Sequence, residues 1–145
     1  MNQHAVFLPM LAMIMLTATV WGYMFVLRWN YLVEHDIASE DIGTPEKLTA
    51  ACSERVNNPA NNFKNLFELP VLFYVICIIA FQGGVVDHFF MWIAWAYFIF
   101  RAAHSWVHCT YNHVDQRFYI YQVSCLALWI LVIKTTITII STRLL

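Results

Sequence analysis

The chain has 145 residues, of which 61% are hydrophobic and 12% are charged, with a formal net charge of −1 at pH 7. A soluble domain carries roughly twice that share of charged residues, so the composition excludes an ordinary water-soluble protein. It predicts an integral, multi-pass membrane protein, in the inner or plasma membrane of a bacterium or an endoplasmic reticulum-type membrane of a eukaryote. No nucleic-acid partner is expected.

Four apolar stretches follow one another along the chain. The first, 5–27, carries no charge. At about 1.5 Å per residue it is long enough to cross a hydrocarbon core of about 30 Å. A signal peptide is the alternative, but the stretch lacks a basic start and is too long, which favours a retained helix. The later stretches are 66–81, 89–107 and 118–140.

These stretches predict an all-α fold, an integral membrane four-helix up-down bundle that forms a single domain over 1–145. The helices are expected at about 5–29, 59–82, 88–111 and 117–141. Six of the eight basic residues flank the first and third loops, so the positive-inside rule places those loops in the cytoplasm and both termini on the non-cytoplasmic side. The six are Arg28, Lys47, Arg55, Lys64, Arg101 and Arg117.

The cytoplasmic loop, about 30–58, is the only sizeable segment outside the membrane. Thr44 followed by Pro45 is the pattern of an N-cap and a proline in the first helical turn. A short helix is expected from there to about Asn57, broken at Pro59. The four cysteines have no metal or redox spacing and are interpreted as packing residues without disulfides.

Polar residues are concentrated on one face of the second helix. They occur at spacings of three and four, which places them on the same side, and the face must point at other helices or at a polar cavity. Solvation of a helix end by lipid headgroups is the alternative. Pro70 is expected to kink the helix. The residues are Asn58, Asn61, Asn62, Asn65 and Glu68.

The third and fourth helices bring further polar groups to the same depth. Arg101, His104, Ser105, His108 and Asn112 share one face of helix three, while Arg117 and Tyr121 lie four residues apart on helix four. A guanidinium inside an apolar segment is normally paired. We expect Glu68 to pair with Arg101 and to stabilise the protein through that ion pair.

The chemistry of this cluster suits an anionic ligand with several carboxylates, since arginine binds carboxylates in a bidentate manner and asparagine both donates and accepts. Arginine at a partly desolvated site also stabilises a thiolate. Two other interpretations of His104 and His108 stay open. Their spacing of four can chelate a metal, or both can be structural hydrogen-bonding residues; no metal is expected.

Two segments resemble the MAPEG family, the membrane-associated proteins in eicosanoid and glutathione metabolism, and in particular the microsomal glutathione transferase type. Glu54-Arg55, Asn62, Asn65 and the following proline resemble the start of that family's second helix. The run Arg101-x-x-His104-Ser105-x-x-His108, with Asn112, Arg117 and Tyr121, resembles its third helix, loop and fourth-helix start. The similarity is carried by 54–121.

The resemblance implies a homotrimer in which glutathione, as co-substrate, lies between subunits near the cytoplasmic face. It implies catalytic roles for Arg117, which stabilises the glutathione thiolate, and for Tyr121 beside it. The expected binding residues are Asn62, Asn65, Glu68, Arg101, His104 and His108. The chain departs from the family at Asn58, often arginine, at Asn65, often glutamate, and at His108, often tyrosine.

The expected function is therefore a membrane-bound, glutathione-dependent transferase or peroxidase. Its substrate is a small apolar electrophile or hydroperoxide that arrives through the lipid bilayer. The alternative is a non-enzymatic scaffold or lipid-presenting protein whose polar cluster only stabilises the oligomer.

Overall fold

The computed structural model describes residues 2–144, and these form helices with no β-strand among them. Short 3-10 helices cover Gln3–Val6 and Ser39–Ile42, and a π-helical turn covers Ile140–Leu144. The α-helices are α1 (Phe7–Glu34), α2 (Pro45–Ala51), α3 (Glu54–Asn65), α4 (Leu69–Gln82), α5 (His88–Cys109) and α6 (Val114–Ile139).

Three helical runs are long and apolar enough to cross a membrane: Gln3–Glu34, Glu54–Gln82 and Val114–Thr142. The protein is an integral membrane protein. α5 has 22 residues, about 33 Å of helix, but buried polar side chains such as Arg101 and His108 make it less apolar than the other three. It packs against α6, α1 and α3, so those side chains face other helices.

The apolar core lies between α1, α4, α5 and α6. Met13, Phe73, Tyr97 and Leu128 are fully buried there, and the Phe73 and Tyr97 rings stack with their centroids 4.5 Å apart. Many large apolar side chains are instead exposed on the outside, as expected where lipid rather than water is the solvent. Trp92 is 77% exposed and Trp106 is 69% exposed.

One end of the bundle is closed by contacts between the N-terminus, the α4–α5 connection and α6. The Gln3 side chain donates to the Val86 carbonyl at 2.9 Å and accepts from the Val86 N–H at 3.0 Å. Asp87 caps α5 by accepting from the N–H of Phe90 at 2.7 Å and pairs with Lys134 at 2.7 Å. Gly84, at φ 65°, supplies the left-handed turn that leads into this connection.

The opposite end, called the polar end below, carries α2, α3 and the α5–α6 connection 110–113. The loop expected at about 30–58 is mostly helical. α1 continues to Glu34, and α2 ends at Ala51 rather than near Asn57. Thr44 caps α2 as expected, its Oγ1 accepting from the N–H of Lys47 at 3.3 Å.

The expected break at Pro59 is wrong, because Pro59 lies inside α3. Pro59 removes one backbone donor, but the helix is held by the burial of the residues around it, which include Val56, Asn57 and Ala60. The break occurs at 66–68 instead, just before Pro70, which occupies the first turn of α4. The expected kink is therefore a full interruption between two helices.

Candidate functional site

The break between α3 and α4 frees a backbone carbonyl that binds Arg101. The last carbonyls of a helix have no donor within the helix and attract positive charge. Arg101 Nη2 donates to the Asn65 carbonyl oxygen at 2.7 Å. Arg101 is fully buried, and its Nε and Nη1 atoms have no hydrogen-bond partner among the described residues. A charged donor from α5 thus completes the end of α3.

The expected ion pair between Glu68 and Arg101 is wrong. Among residues 2–142, one pair of oppositely charged side chains has its N and O atoms within 4 Å of each other: Lys134 and Asp87, at the other end of the bundle. Glu68 is exposed at the interruption before α4, with φ −95° and ψ −105°. Because the helix is interrupted at Glu68, its side chain is exposed instead of lying against Arg101. Arg101 binds the Asn65 carbonyl oxygen instead.

Tyr121 and His104 form a ring cluster beside Arg101. The Arg101 Cζ atom lies 5.4 Å from the centroid of the Tyr121 ring, within range of a cation–π interaction. The His104 ring lies 5.5 Å from the Tyr121 ring and 5.6 Å from the His108 ring. α5 and α6 therefore bring a guanidinium, a phenol and two imidazoles into one layer.

His104 is oriented by the backbone of α6. Its Nδ1 lies 3.1 Å from the Arg117 carbonyl oxygen, which can only accept, so Nδ1 carries the proton. In the neutral ring Nε2 then holds a free lone pair, and that atom is buried without a partner among the described residues. The same contact fixes the start of α6 against α5.

Arg117 is held by a chain of amides that crosses three elements. Its Nη1 donates to Asn112 Oδ1 at 2.6 Å, and Asn112 Nδ2 donates to Asn58 Oδ1 at 3.2 Å. Asn58 belongs to α3, Asn112 to the α5–α6 connection and Arg117 to the first turn of α6. The guanidinium therefore has a fixed position although no carboxylate lies within 4 Å of it among residues 2–142.

These groups surround an open polar cleft of about 480 Å³ at the polar end of the bundle. Its lining combines two carboxylates, two basic side chains, one imidazole, four side-chain amides and one apolar residue. Such a lining suits a small zwitterionic ligand better than a purely anionic one. The residues are Glu54, Asn58, Asn61, Lys64, Asn65, Glu68, His108, Asn112, Val114 and Arg117.

The structure separates the eight site residues expected from the sequence into three groups. Asn65, Glu68, His108 and Arg117 line the cleft. Arg101, His104 and Tyr121 form the layer beside Arg117 described above.

Asn62 is the third group, because it lies outside the cleft and is fully buried between α3 and α5. Its Oδ1 accepts from Ser105 Oγ and its Nδ2 donates to Cys109 Sγ, both at 3.4 Å.

Several lining residues were missed as candidate site residues. Asn58 and Asn61 share the helix face with Asn65, so the spacing of three already pointed to them. Glu54 could be found by continuing that face back through the break expected at Pro59, which does not exist, and Lys64 follows Asn61 by three residues in the same helix. Asn112 was placed on the polar face of helix three, but its position in the cleft depends on a left-handed backbone conformation, φ 48°, which residue spacing does not predict.

Among the described residues there is no metal-binding cluster, and no cysteine of the chain lines the cleft. No group of three or more His, Cys, Asp or Glu side chains in that part of the chain could hold a metal ion. Cys52, between α2 and α3, is buried; burial raises the pKa of its thiol, although the charge of Arg28 works in the opposite direction. The cleft therefore offers binding groups and no chain-borne thiolate.

The whole chain, apart from its ends, has the sequence pattern of one known class of membrane protein. A family model described as the MAPEG family matches residues 6–137. The chain belongs to the MAPEG family. No individual curated protein and no solved structure matches it.

Proposed function

We propose that the protein is a membrane-bound glutathione-dependent transferase or peroxidase acting on apolar substrates dissolved in the bilayer. The observation that carries this proposal is the cleft at the polar end, where Arg117 is held by Asn112 and no carboxylate of residues 2–142 lies within 4 Å of it. An unneutralised guanidinium at a partly desolvated site favours an anion, and the resemblance to the family implies that this anion is the glutathione thiolate.

The charges of the cleft complement those of glutathione, which has two carboxylates and one ammonium group. Lys64 and Arg117 match the negative groups, and Glu54 and Glu68 match the ammonium. The asparagine side chains offer donors and acceptors for the peptide groups. A volume of about 480 Å³ also lies within the range of about 300–1,000 Å³ typical of small-molecule sites.

In the proposed reaction Arg117 stabilises the thiolate that forms when glutathione loses its thiol proton to water in the cleft. In transfer, the sulfur attacks an electrophilic carbon and the displaced group leaves with the electron pair. In peroxide reduction, two glutathione molecules are oxidised to the disulfide while the hydroperoxide becomes an alcohol and water. Holding the thiolate beside a membrane-dissolved substrate supplies proximity.

The other expected site residues act around this centre. Tyr121 lies one turn after Arg117 and serves as a hydroxyl donor to the thiolate. Arg101 and His104 support the Tyr121 ring, at 5.4 Å and 5.5 Å. Asn65, Glu68 and His108 bind the peptide, whereas Asn62 acts indirectly by joining α3 to α5.

The proposal includes a topology and an assembly. α5 is the fourth membrane-crossing helix, the polar end faces the cytoplasm, and both termini lie on the other side. The broad exposed apolar surface of α1 and α6 supports contact with lipid and with further copies of the chain. The resemblance to the family adds that the assembly is a homotrimer.

The experiment that tests this function is a glutathione titration of the purified protein and of Arg117→Leu. We expect the wild type to bind glutathione as a thiolate, visible by ultraviolet absorbance, and to conjugate a generic apolar electrophile. Arg117→Leu should keep the oligomer but raise the pKa of bound glutathione and reduce conjugation by about 100-fold, within the usual range for one electrostatic group.

Arg117→Lys is the matched variant, since it keeps the charge and loses the planar fork, and it should restore only part of the activity. Conjugation by Arg117→Leu at the wild-type rate would reduce Arg117 to a structural or headgroup-binding residue.

A second candidate function is a non-enzymatic membrane scaffold. It is favoured by the hydrogen bonds that the polar residues make with one another across α3, α5 and α6, since these bonds stabilise the bundle without a ligand. Under this alternative the wild type shows no glutathione-induced thiolate absorbance.

A further inference from the structure

We infer that Asn112 is a positioning residue for Arg117. Its neutral amide orients the guanidinium without neutralising the positive charge that attracts the ligand. This inference rests on the proposed function and deepens it. Asn112 lies in the connection before α6, and no role in the reaction was expected for it. The structure shows that its side chain contacts Arg117.

The Asn112 side chain links α3 to the guanidinium group of Arg117. The bond from Arg117 Nη1 to Asn112 Oδ1 is 2.6 Å long, which is short for a hydrogen bond from nitrogen to oxygen. The opposite end of the same amide donates to Asn58 Oδ1 in α3. Both ends of the Asn112 amide are therefore used, and this fixes which end faces Arg117.

The backbone of the α5–α6 connection sets the direction of this side chain. Asn112 has φ 48°, a left-handed conformation that asparagine adopts more readily than most other residues. Its N–H donates to the Val107 carbonyl at 2.8 Å and so completes the end of α5. The conformation that ends α5 thus also aims the amide at Arg117.

The choice of an amide rather than a carboxylate has an electrostatic consequence. A carboxylate at the same distance would hold Arg117 equally well but would neutralise it, and the attraction for a thiolate would be lost. The charged groups that share the cleft are Glu54, Lys64 and Glu68, with His108 as a further titratable group, and neither carboxylate pairs with Arg117. Orientation and charge are thereby supplied by separate residues.

The test compares Asn112→Gly with Asn112→Asp by thiolate absorbance of bound glutathione as a function of pH. Glycine keeps the left-handed backbone and removes both amide bonds. Aspartate keeps an acceptor for Arg117 and adds the neutralising charge. We expect the pKa of the bound thiol to rise by about one unit with glycine, equivalent to about tenfold, and to rise further with aspartate. Asn58→Ala should cause a smaller rise.

Asp36→Gly is the matched control, because Asp36 is the other described non-glycine residue with positive φ, at 49°, and it lies outside the cleft. It should leave the thiol pKa and the conjugation rate unchanged. A wild-type thiol pKa in Asn112→Gly would overturn the positioning role while the proposed function stands. A smaller rise with aspartate than with glycine would overturn the argument from neutrality. Absence of any thiolate in the wild type would remove the proposed function and this role together.

Discussion

Arg101 shows how a single buried charge is accommodated at the polar end of the bundle. It is fully buried, and among the described residues its side chain makes one hydrogen bond, to the carbonyl at the end of α3. Burying an arginine in an apolar segment is costly unless its charge is compensated. Here the compensation comes from a helix-end carbonyl and the Tyr121 ring rather than from an acid.

This arrangement predicts different outcomes for the two residues of the expected ion pair. Arg101→Gln should lower the free energy of unfolding by about 1–3 kcal/mol, because the Asn65 carbonyl loses a charged donor. Glu68→Gln should change it by less than about 0.5 kcal/mol, since Glu68 is exposed and forms no ion pair with the side chains of residues 2–142.

A double-mutant cycle, measured by denaturant unfolding in detergent micelles, checks both values. The two losses should add within about 0.5 kcal/mol. A clearly smaller loss in the double variant would mean that the two side chains interact after all.

At the scale of elements, each connection that closes an end of the bundle also orients a side chain. The break at 66–68 presents the Asn65 carbonyl, the connection 110–113 presents Asn112, and Asp87 begins α5 while it binds Lys134 of α6. Helix ends leave backbone groups without partners, and these ends are where polar side chains satisfy them. The candidate site therefore consists mainly of helix ends.

The start of α5 predicts a pH dependence of stability. Partial burial acts to raise the pKa of Asp87, but the hydrogen bonds from Lys134 and from the Phe90 N–H, together with the charge of Lys134, outweigh it and hold the pKa below its usual value. A carboxyl whose pKa is lowered in the folded state stabilises the fold above its unfolded pKa, about 4, and this stability is lost as the pH falls through the lower folded pKa.

Asp87→Asn keeps the N-cap and removes the ion pair, so it isolates this contribution. Above pH 5 it should lower the free energy of unfolding by less than about 1 kcal/mol, because Asp87 is 55% exposed and solvent screens the pair. The difference between variant and wild type should shrink below pH 4 when unfolding is followed against pH. A difference that grows on acidification would contradict the assigned direction of the shift.

At the scale of the whole molecule, the helices divide the polar groups between two ends with different roles. Gln3, Asp87 and Lys134 close one end with contacts that are all made within the chain. The polar end has α2, the packed helix α3 and an open cleft. The basic residues that flank the first and third loops belong to this end, which is why we expect it to face the cytoplasm.

The topology predicts opposite labelling of two exposed positions in a variant without its four native cysteines. Ser39→Cys lies at the polar end and should react with a membrane-impermeant thiol reagent only after the membrane is opened. His88→Cys, next to the α4–α5 connection, should react in intact cells. The reverse pattern would place the cleft on the outer side and exclude access to cytoplasmic glutathione.

The sequence by itself determined the membrane environment, the helical class, the approximate position of each long helix and the family. These features follow from composition and from apolar stretches whose length must match the bilayer, and from residues such as Arg101, His104 and Arg117 that occur at fixed spacing. Spacing also placed Asn58, Asn61 and Asn65 on one face of a helix. Such properties are local in the chain, so no knowledge of the packing is needed to find them.

Only the tertiary structure decided which of these polar residues meet. In the structure the second helix is interrupted at 66–68 instead of at Pro59, and Glu68 is exposed. Arg101 binds a backbone carbonyl, and Asn62 lies in the α3–α5 interface. The tertiary structure also brought Asn58, Asn112 and Arg117, far apart in sequence, into one chain of hydrogen bonds. A hydrogen bond depends on distances of a few tenths of an ångström and on where each helix ends, and residue spacing along a helix fixes neither.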